Sequence, residues 1–530
     1  MSTQPISRTL PQLIGELASL YGERDAIVDV HRRLTYRDLL ELIDDCARGL
    51  MSIGVGRGDK VAILMGNRLE WIVSALAATH LGAVAVAVNT WWTSREIAYA
   101  LSHAEARFIV CTPGYMKHDY VEMLNGLQSE GQLPSLQAIV GVGQLLPTSW
   151  YSWRELCALG RRYASDVIDV QSEPDDVAFI LYTSGSTSHP KGVQLVHRGL
   201  IENVWNIGER QKITEHDRLW LAVSLFWGFG CSNAMMNLLT HGGCLVLQES
   251  FDAAEALKLI ERQRCSVIYG TPNMIQALAE HPEREKHDLS TLRSGATLGT
   301  PEQVMRAVTL GASNICSIYG LTETYGNSHV TDANDPLELR LRSCGRPLPG
   351  VSQRIVDPET ELEMSAGQVG EIRVKGYVTK GYFKDAAQTE RAFDAHGYFR
   401  TGDLGCVDED GNLFYRGRIK ELVKTGGINV SPAEVEAVLM THPDVAHAVV
   451  TGVPHPTRDE VLGALVVPRP NRSLTEDVLK AYCRTQLAAY KVPAHVVFCS
   501  EVDLPLTTTG KIQKSLIAAT FFAQSGETTA

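Results

Sequence analysis

The chain has 530 residues, with 49 Lys+Arg against 61 Asp+Glu and a formal net charge of −12. This balance leaves no excess of cations to neutralise a phosphate backbone, which argues against nucleic acid as a partner but is compatible with a basic pocket for one phosphorylated ligand. With 44% hydrophobic and 21% charged residues the composition is that of a globular protein with a large core, not of a disordered chain.

The opening residues, MSTQPISRTLPQL, lack a basic stretch followed by an apolar run, so no secretory signal is expected. Thr35 is placed to cap a helix whose apolar residues Leu39, Ile43, Cys46, Leu50 and Ile53 recur at steps of three and four. VAILMG (61–66) reads as a buried strand. The stretch from Trp71 to Trp92 holds no charged residue, but His80, Gly82 and Asn89 interrupt it. A helix ending near His80 and a strand Ala83–Val88 fit it better than a membrane span. A short helix and FIVC (108–111) follow, and the alternation returns around VAFIL, LWLAVSL, CLVLQE, SVIYG and NICSIYG. Such alternation predicts an α/β fold of parallel strands covered by helices. From about 345 the texture changes to close-set strands with Gly-rich turns, GEIRVKG and GNLFYRG, which suggests a smaller β-rich unit. Residues 419–530 read as a separate small α+β domain, with strands AHAVVTGV, LGALVVP and HVVFCS and helices starting near Ser431 and Leu474. The 11 cysteines are scattered and form no CxxC, the pattern of reduced thiols in a cytoplasmic protein. The ending AQSGETTA carries no lipidation or peroxisomal address.

The most informative string is YTSGSTSHPKG (182–192), directly after an apolar strand. Thr183, Ser184, Gly185, Ser186, Thr187 and Lys191 supply hydroxyls, exposed backbone amides and an ammonium, the groups that hold a polyphosphate by charge-assisted hydrogen bonds. It is not a Walker A loop, because Lys191 is preceded by Pro190 and followed by Gly192. Taken alone, it could also be a solvated serine-rich turn.

The string resembles the phosphate loop of the acyl-adenylate-forming superfamily, which includes acyl-CoA synthetases, nonribosomal adenylation domains and firefly luciferase. Further matches follow in that family's order. YGLTET (319–324) resembles its YGxTE motif and YFRTGDL (398–404) its ribose-binding TGD segment. GRIKELVKTGG (417–427), followed by Pro432 and Glu434, resembles the hinge, and LPLTTTGK (504–511) the C-terminal lysine motif. The resemblance spans essentially the whole chain. It implies an N-terminal domain over 1–418, built of two helix-covered sheets and a β-barrel-like subdomain at about 345–418, and a mobile C-terminal lid over 419–530.

The resemblance also implies roles. Glu323 offers a hard oxygen for Mg²⁺, while Thr183 and Lys191 serve the phosphates during the reaction. Tyr319 gives an aromatic face for adenine, with Gly295, Ala296, Gly320 and Thr322 as further nucleotide contacts. Asp403 accepts from the ribose hydroxyls, and Arg418 adds a five-donor fork. Lys511 bridges the acyl carboxylate and the α-phosphate as charge develops. Rotation about Lys420 would then carry Lys511 away and bring Lys424, Gly426 and Gly427 towards the thiol. Trp227, Phe229, Ile318, Gly320, Tyr325 and Gly326 would line the acyl pocket.

Two positions depart from the family's pattern: Ser188 stands where Gly is usual, and Trp227 where many relatives carry His. The segment SLFWGFG (224–230) has no Asp to hold a substrate ammonium, which points away from amino-acid adenylation. The few residues after Lys511 are too short for a carrier domain. The expected protein is a free-standing acyl-CoA synthetase using ATP, Mg²⁺ and coenzyme A on a bulky hydrophobic acid, with no membrane or nucleic-acid partner. An acyl-AMP ligase loading a separate carrier protein, a luciferase-like oxygenase and a non-catalytic nucleotide-binding relative stay open, as does a homodimer.

Overall fold

Local sequence sets the first helix after the N-terminal hairpin. Thr35 Oγ1 accepts from the Asp38 backbone N–H, and Asp38 Oδ2 accepts from the Thr35 N–H at 2.9 Å, a complete capping box, worth roughly 1 kcal/mol at such a site. The helix runs Tyr36–Ser52 and buries Leu39, Ile43, Cys46 and Leu50 as the spacing predicts, with Ile53 as its C-cap. The computed structural model describes residues 4–30, 32–163, 168, 172–183, 190–425, 428–455, 458–470, 472–487, 489–506 and 512–522.

By contact the chain divides into two compact units, one of Met1–Gln353 with Val374–Phe399 and the other of Arg354–Arg373 with Arg400–Ala530. The first holds two large sheets, as the α/β alternation predicts. In the seven-stranded sheet Val177–Thr183, Val84–Ala87, Lys60–Leu64, Phe108–Cys111, Ala138–Gly141 and Tyr151–Ser152 lie parallel in that order. Lys191–Val196 closes its edge antiparallel to Val177–Thr183. The nine-stranded sheet has a parallel centre in which Arg218–Leu221, Val267–Tyr269, Ser294–Thr297 and Asn314–Tyr319 lie side by side. The charge-free stretch owes its composition to burial inside protein. All twelve residues of the helix Leu69–His80 are buried, and no helix among the described residues is long and apolar enough to cross a membrane.

The second unit is smaller. Ser352–Val356, Gly370–Lys375, Phe399–Val407 and Leu413–Arg418 form a four-stranded sheet in chain order. A five-stranded sheet follows, centred on the antiparallel pair Val445–His455 and Asp459–Pro468, with His495–Phe498 parallel to the latter. Helices Pro432–Met440 and Glu476–Arg484 pack on it through Val435, Leu439, Leu479 and Cys483. None of the eleven cysteines is in a disulfide.

Candidate active site

The antiparallel pairing of Val177–Thr183 with Lys191–Val196 brings Thr183 opposite Lys191. Ser184, Gly185, Ser186, Thr187 and Ser188 lie outside the described residues. Lys191 holds its ammonium over the Tyr382 ring, 5.2 Å from the centroid, a cation–π geometry. Turning the Gln388 amide lets its oxygen accept from Lys191 Nζ and its nitrogen donate to Asp385 Oδ2 at 3.2 Å.

Glu323 sits in the short 3-10 turn Thr322–Thr324, just beyond the end of the strand Asn314–Tyr319. The Tyr382 hydroxyl donates to Glu323 Oε1 at 2.9 Å, and the Thr379 N–H donates to the Glu323 carbonyl at 2.6 Å. Burial, then the Glu323 charge, pushes the Tyr382 phenol well above its usual range. Tyr382 therefore connects Lys191 with Glu323. It is itself fixed because Phe383 N–H donates to the Gly192 carbonyl at 2.8 Å and Gln194 N–H to the Gly381 carbonyl at 3.1 Å. The motif reading did not single out Tyr382, Thr379 or Gln388. The available signal was the aromatic pair after Gly381, whose φ of +130° no side chain would tolerate cheaply.

Tyr319, the last residue of its strand, is buried and meets the His329 ring at 5.8 Å. His329 shares hydrogen bonds with Ser328 Oγ at 2.9 Å and Gln353 Oε1 at 2.7 Å, and burial lowers its pKa to about 4. Gly295 and Ala296 lie in the neighbouring strand Ser294–Thr297, and both are buried. Gly295 has a φ of +141°, and a Cβ there would fall 1.9 Å from the Ile268 carbonyl oxygen. It is a position only glycine can fill.

Trp227 is half-buried in a cluster of rings, edge-on to Trp91 at 5.0 Å and Phe226 at 5.5 Å. Phe229 opens a π-helical turn, Phe229–Met235, in which Asn233 N–H donates to the Gly228 carbonyl at 2.9 Å, and its ring lies 5.2 Å from that of Tyr269. Gly230 keeps this turn tight, since a Cβ there would come 2.3 Å from the Ser224 carbonyl oxygen. Ile318 is half-buried and pairs with Val330. Gly320 and Gly326 pass so closely that a Cβ on the first would lie 2.3 Å from the second's carbonyl oxygen. Tyr325 goes elsewhere. Its φ of +55° turns the ring onto Gly199, where a Cβ would strike it at 2.2 Å, and its hydroxyl accepts from the Val196 N–H at 3.1 Å. It belongs to the contact with the helix His197–Gln211, not to the Trp227 cluster.

In the second unit Asp403 and Arg418 are register partners on neighbouring antiparallel strands and form an ion pair, with Arg418 Nε 3.0 Å from Asp403 Oδ1. Asp403 is buried while Arg418 is half-exposed. Burial, then the charge of Asp403, pushes the Tyr415 phenol upwards. Lys420 is exposed in the turn Ile419–Glu421, and Lys424 is exposed on the strand Val423–Thr425. Gly426, Gly427 and Lys511 lie outside the described residues.

Among the described residues no three of His, Cys, Asp or Glu gather to hold a metal. A single carboxylate such as Glu323, with phosphate oxygens and water completing the shell, is the setting in which Mg²⁺ is commonly held. The residues present fit the ion.

Residues 16–383 match the AMP-binding enzyme family and residues 434–511 match the AMP-binding enzyme C-terminal domain. The chain is 36% identical over 530 residues to YngI of Bacillus subtilis, named as an acyl-CoA synthetase, covering 96% of each chain. It is 34% identical over 516 residues to the 3-[(3aS,4S,7aS)-7a-methyl-1,5-dioxo-octahydro-1H-inden-4-yl]propanoyl:CoA ligase of Mycobacterium tuberculosis, covering 96% of this chain and 98% of the relative. The crystal structure of the anthranilate CoA ligase AuaEII with anthranoyl-AMP superposes with a TM-score of 0.86 at 26% identity, over 98% of this chain and 99% of that one. The chain belongs to the AMP-binding enzyme family. Within it, it is an AMP-forming acyl-CoA synthetase, an acid–thiol ligase using ATP, Mg²⁺ and coenzyme A.

Proposed function

We propose that the acid activated here is a monocarboxylic acid with a bulky hydrophobic body, aromatic, alicyclic or of medium-to-long chain. The observation that carries this is the cluster of Trp91, Phe226 and Trp227 beside Phe229, with no cation among these residues to meet a second carboxylate. Burying apolar surface is worth about 25 cal/mol per Å², so such walls favour large acyl groups by several-fold per methylene. The bicyclic acid named for the mycobacterial relative and the anthranoyl group named for AuaEII are acids of this bulk.

The reaction has two steps. The acid's carboxylate attacks the α-phosphorus of ATP and expels pyrophosphate; the thiol of CoA then displaces AMP from the acyl adenylate. Both steps are served by positioning and charge neutralisation, without a nucleophilic side chain. Lys191 and Thr183, with Ser184, Gly185, Ser186 and Thr187, are read as the phosphate cradle. Glu323 would hold Mg²⁺, which when bound neutralises phosphate charge. Tyr319, Gly295, Ala296, Gly320 and Thr322 are assigned to the nucleotide base and its surroundings, and Asp403 and Arg418 to the ribose. Lys511 is assigned to the first step only. Rotation of the segment 419–530 about Lys420 would then present Lys424, Gly426 and Gly427 for the second.

The acceptor is read as free CoA rather than a carrier protein, and the setting as the cytoplasm. A panel of carboxylic acids in a pyrophosphate-release assay, run with and without CoA and with a phosphopantetheinylated carrier, tests the reading. Large hydrophobic acids should give the highest kcat/KM and should yield acyl-CoA. If acetate or propionate outcompetes every larger acid, the assignment of substrate is wrong.

A further inference from the structure

The helix Lys514–Phe521 opens on a lysine and has no side-chain cap, although the positive end of a helix favours acidic residues in its first turn. The partners of this ammonium come from other elements. Lys514 Nζ lies 3.1 Å from Glu421 Oε2 and 2.8 Å from Glu436 Oε1. Glu421 ends the turn Ile419–Glu421, directly after Lys420, and Glu436 belongs to the helix Pro432–Met440. Glu436 Oε1 also accepts from the Val450 N–H at 2.7 Å, which fixes it to the strand Val445–His455. Burial alone would lower the Lys514 pKa, but the charges of Glu436 and Glu421 outweigh it and raise it. Just before this helix, the chain on the two sides of residues 507–511 is clasped together. Ile512 bridges Leu506 antiparallel, and the Gln513 N–H donates to the Pro505 carbonyl at 2.7 Å.

The ion pairs are not what docks this helix. Ile517 and Phe522 do that, buried with Val449, Val453, Val461 and Leu465 in one apolar cluster. Gathering two carboxylates and an ammonium in a partly buried spot costs desolvation that an apolar contact would avoid. We propose that Lys514 is a positioning residue for adenylation, which through Glu421 ties the chain that carries Lys511 to the turn beside the pivot. Rotation about Lys420 then moves Glu421, Lys514 and Lys511 as one piece, so that Lys511 reaches the α-phosphate without being ordered separately. The thioester step makes no use of Lys511 and does not need the tie. This inference rests on the reading of Lys511 as the residue of the first half-reaction and of Lys420 as the pivot.

The two half-reactions, measured separately, test it: single-turnover formation of acyl adenylate from ATP and an accepted acid, and thioester formation from preformed acyl adenylate and CoA. Lys514→Gln and Glu421→Gln should each lower the maximal rate of the first about tenfold, leave the KM for ATP unchanged and leave the second near the wild-type rate. The double variant should be no slower than Lys514→Gln, because both changes break the same tie. The proposal is overturned if both half-reactions fall together, which is the sign of a merely structural role. It is also overturned if adenylation is unchanged in either variant, or if the two losses multiply. Lys514→Gln leaves two carboxylates facing each other; should it fail to fold, Glu421→Gln, which keeps the Lys514–Glu436 pair, decides by itself. Lys511→Ala is run beside them. If it slows adenylation and the other variants do not, only the role of Lys514 fails. If it spares adenylation, the reading of Lys511 beneath it fails.

Discussion

The two units hold the polar residues proposed for the site by different means. In the first, Lys191, Tyr382 and Glu323 come from three separate segments, and Tyr382 is clamped by backbone bonds to the strand Lys191–Val196. In the second, Asp403 and Arg418 face each other across one antiparallel pair as an ion pair. The first arrangement fixes a carboxylate by cross-links between elements, so its geometry exists before any ligand arrives. The second keeps a buried carboxylate paired with a half-exposed guanidinium, whose long side chain can swing to a ligand oxygen. Preorganisation and self-pairing thus divide between the units.

The sharpest way to separate them is at Lys511, assigned to one half-reaction alone. Lys511→Ala should lower acyl-adenylate formation by about 10²–10³-fold while thioester formation from preformed acyl adenylate stays near the wild-type rate. Equal loss in both half-reactions would remove the two-state reading. Next in size, Glu323→Gln should cost about 100-fold in adenylation, seen mainly in kcat, with a raised Mg²⁺ requirement. Asp403→Asn should act mainly on the KM for ATP, by about tenfold; a loss confined to kcat would contradict a ribose role. Tyr382→Phe keeps the ring beneath Lys191 but deletes the hydrogen bond to Glu323, a change of roughly 1.5 kcal/mol or about tenfold in kcat/KM. Indifference to this change would show that Glu323 needs no cross-link.

The contrast also has a pH signature. His329 and His197, both buried in the first unit, have pKa values lowered from 6.5 to about 4, chiefly by burial. Between those values the unfolded chain binds more protons than the folded one, so stability rises with pH and is fully present above about 6.5. It falls as the pH drops towards 4, by about 3 kcal/mol for each imidazole. Thermal unfolding from pH 7 to 4.5 should show this decline, and His329→Gln should flatten it; an unchanged slope would contradict the assignment. The smallest effect is expected at Trp227→Ala, which should widen the accepted range of acids about threefold while leaving adenylation intact, as measured with the same acid panel.

The parts of this structure readable in the sequence are those decided by neighbours along the chain. The Thr35–Asp38 capping box, the helix Leu69–His80 and the C-terminal strands follow from local spacing. The hydrogen bond of Tyr382 to Glu323 spans 59 positions and depends on how the segment 379–383 docks on another strand, which no periodicity records. Tyr325 shows the same limit at closer range. One residue beyond the motif, its left-handed backbone sends the ring to Gly199 instead of Trp227, and a sequence does not print dihedral angles.

Gly199 deserves a place in any redesign of this enzyme. Its missing side chain is the seat of the Tyr325 ring, and Tyr325 ends the turn that presents Glu323. A combinatorial library that varies Trp227 and Phe229 explores acyl preference without touching that turn. One that also varies position 199 displaces the ring, distorts the turn and loses clones for reasons unrelated to the acid. The helix His197–Gln211 should therefore be held constant at this point, and screening effort spent on the aromatic face.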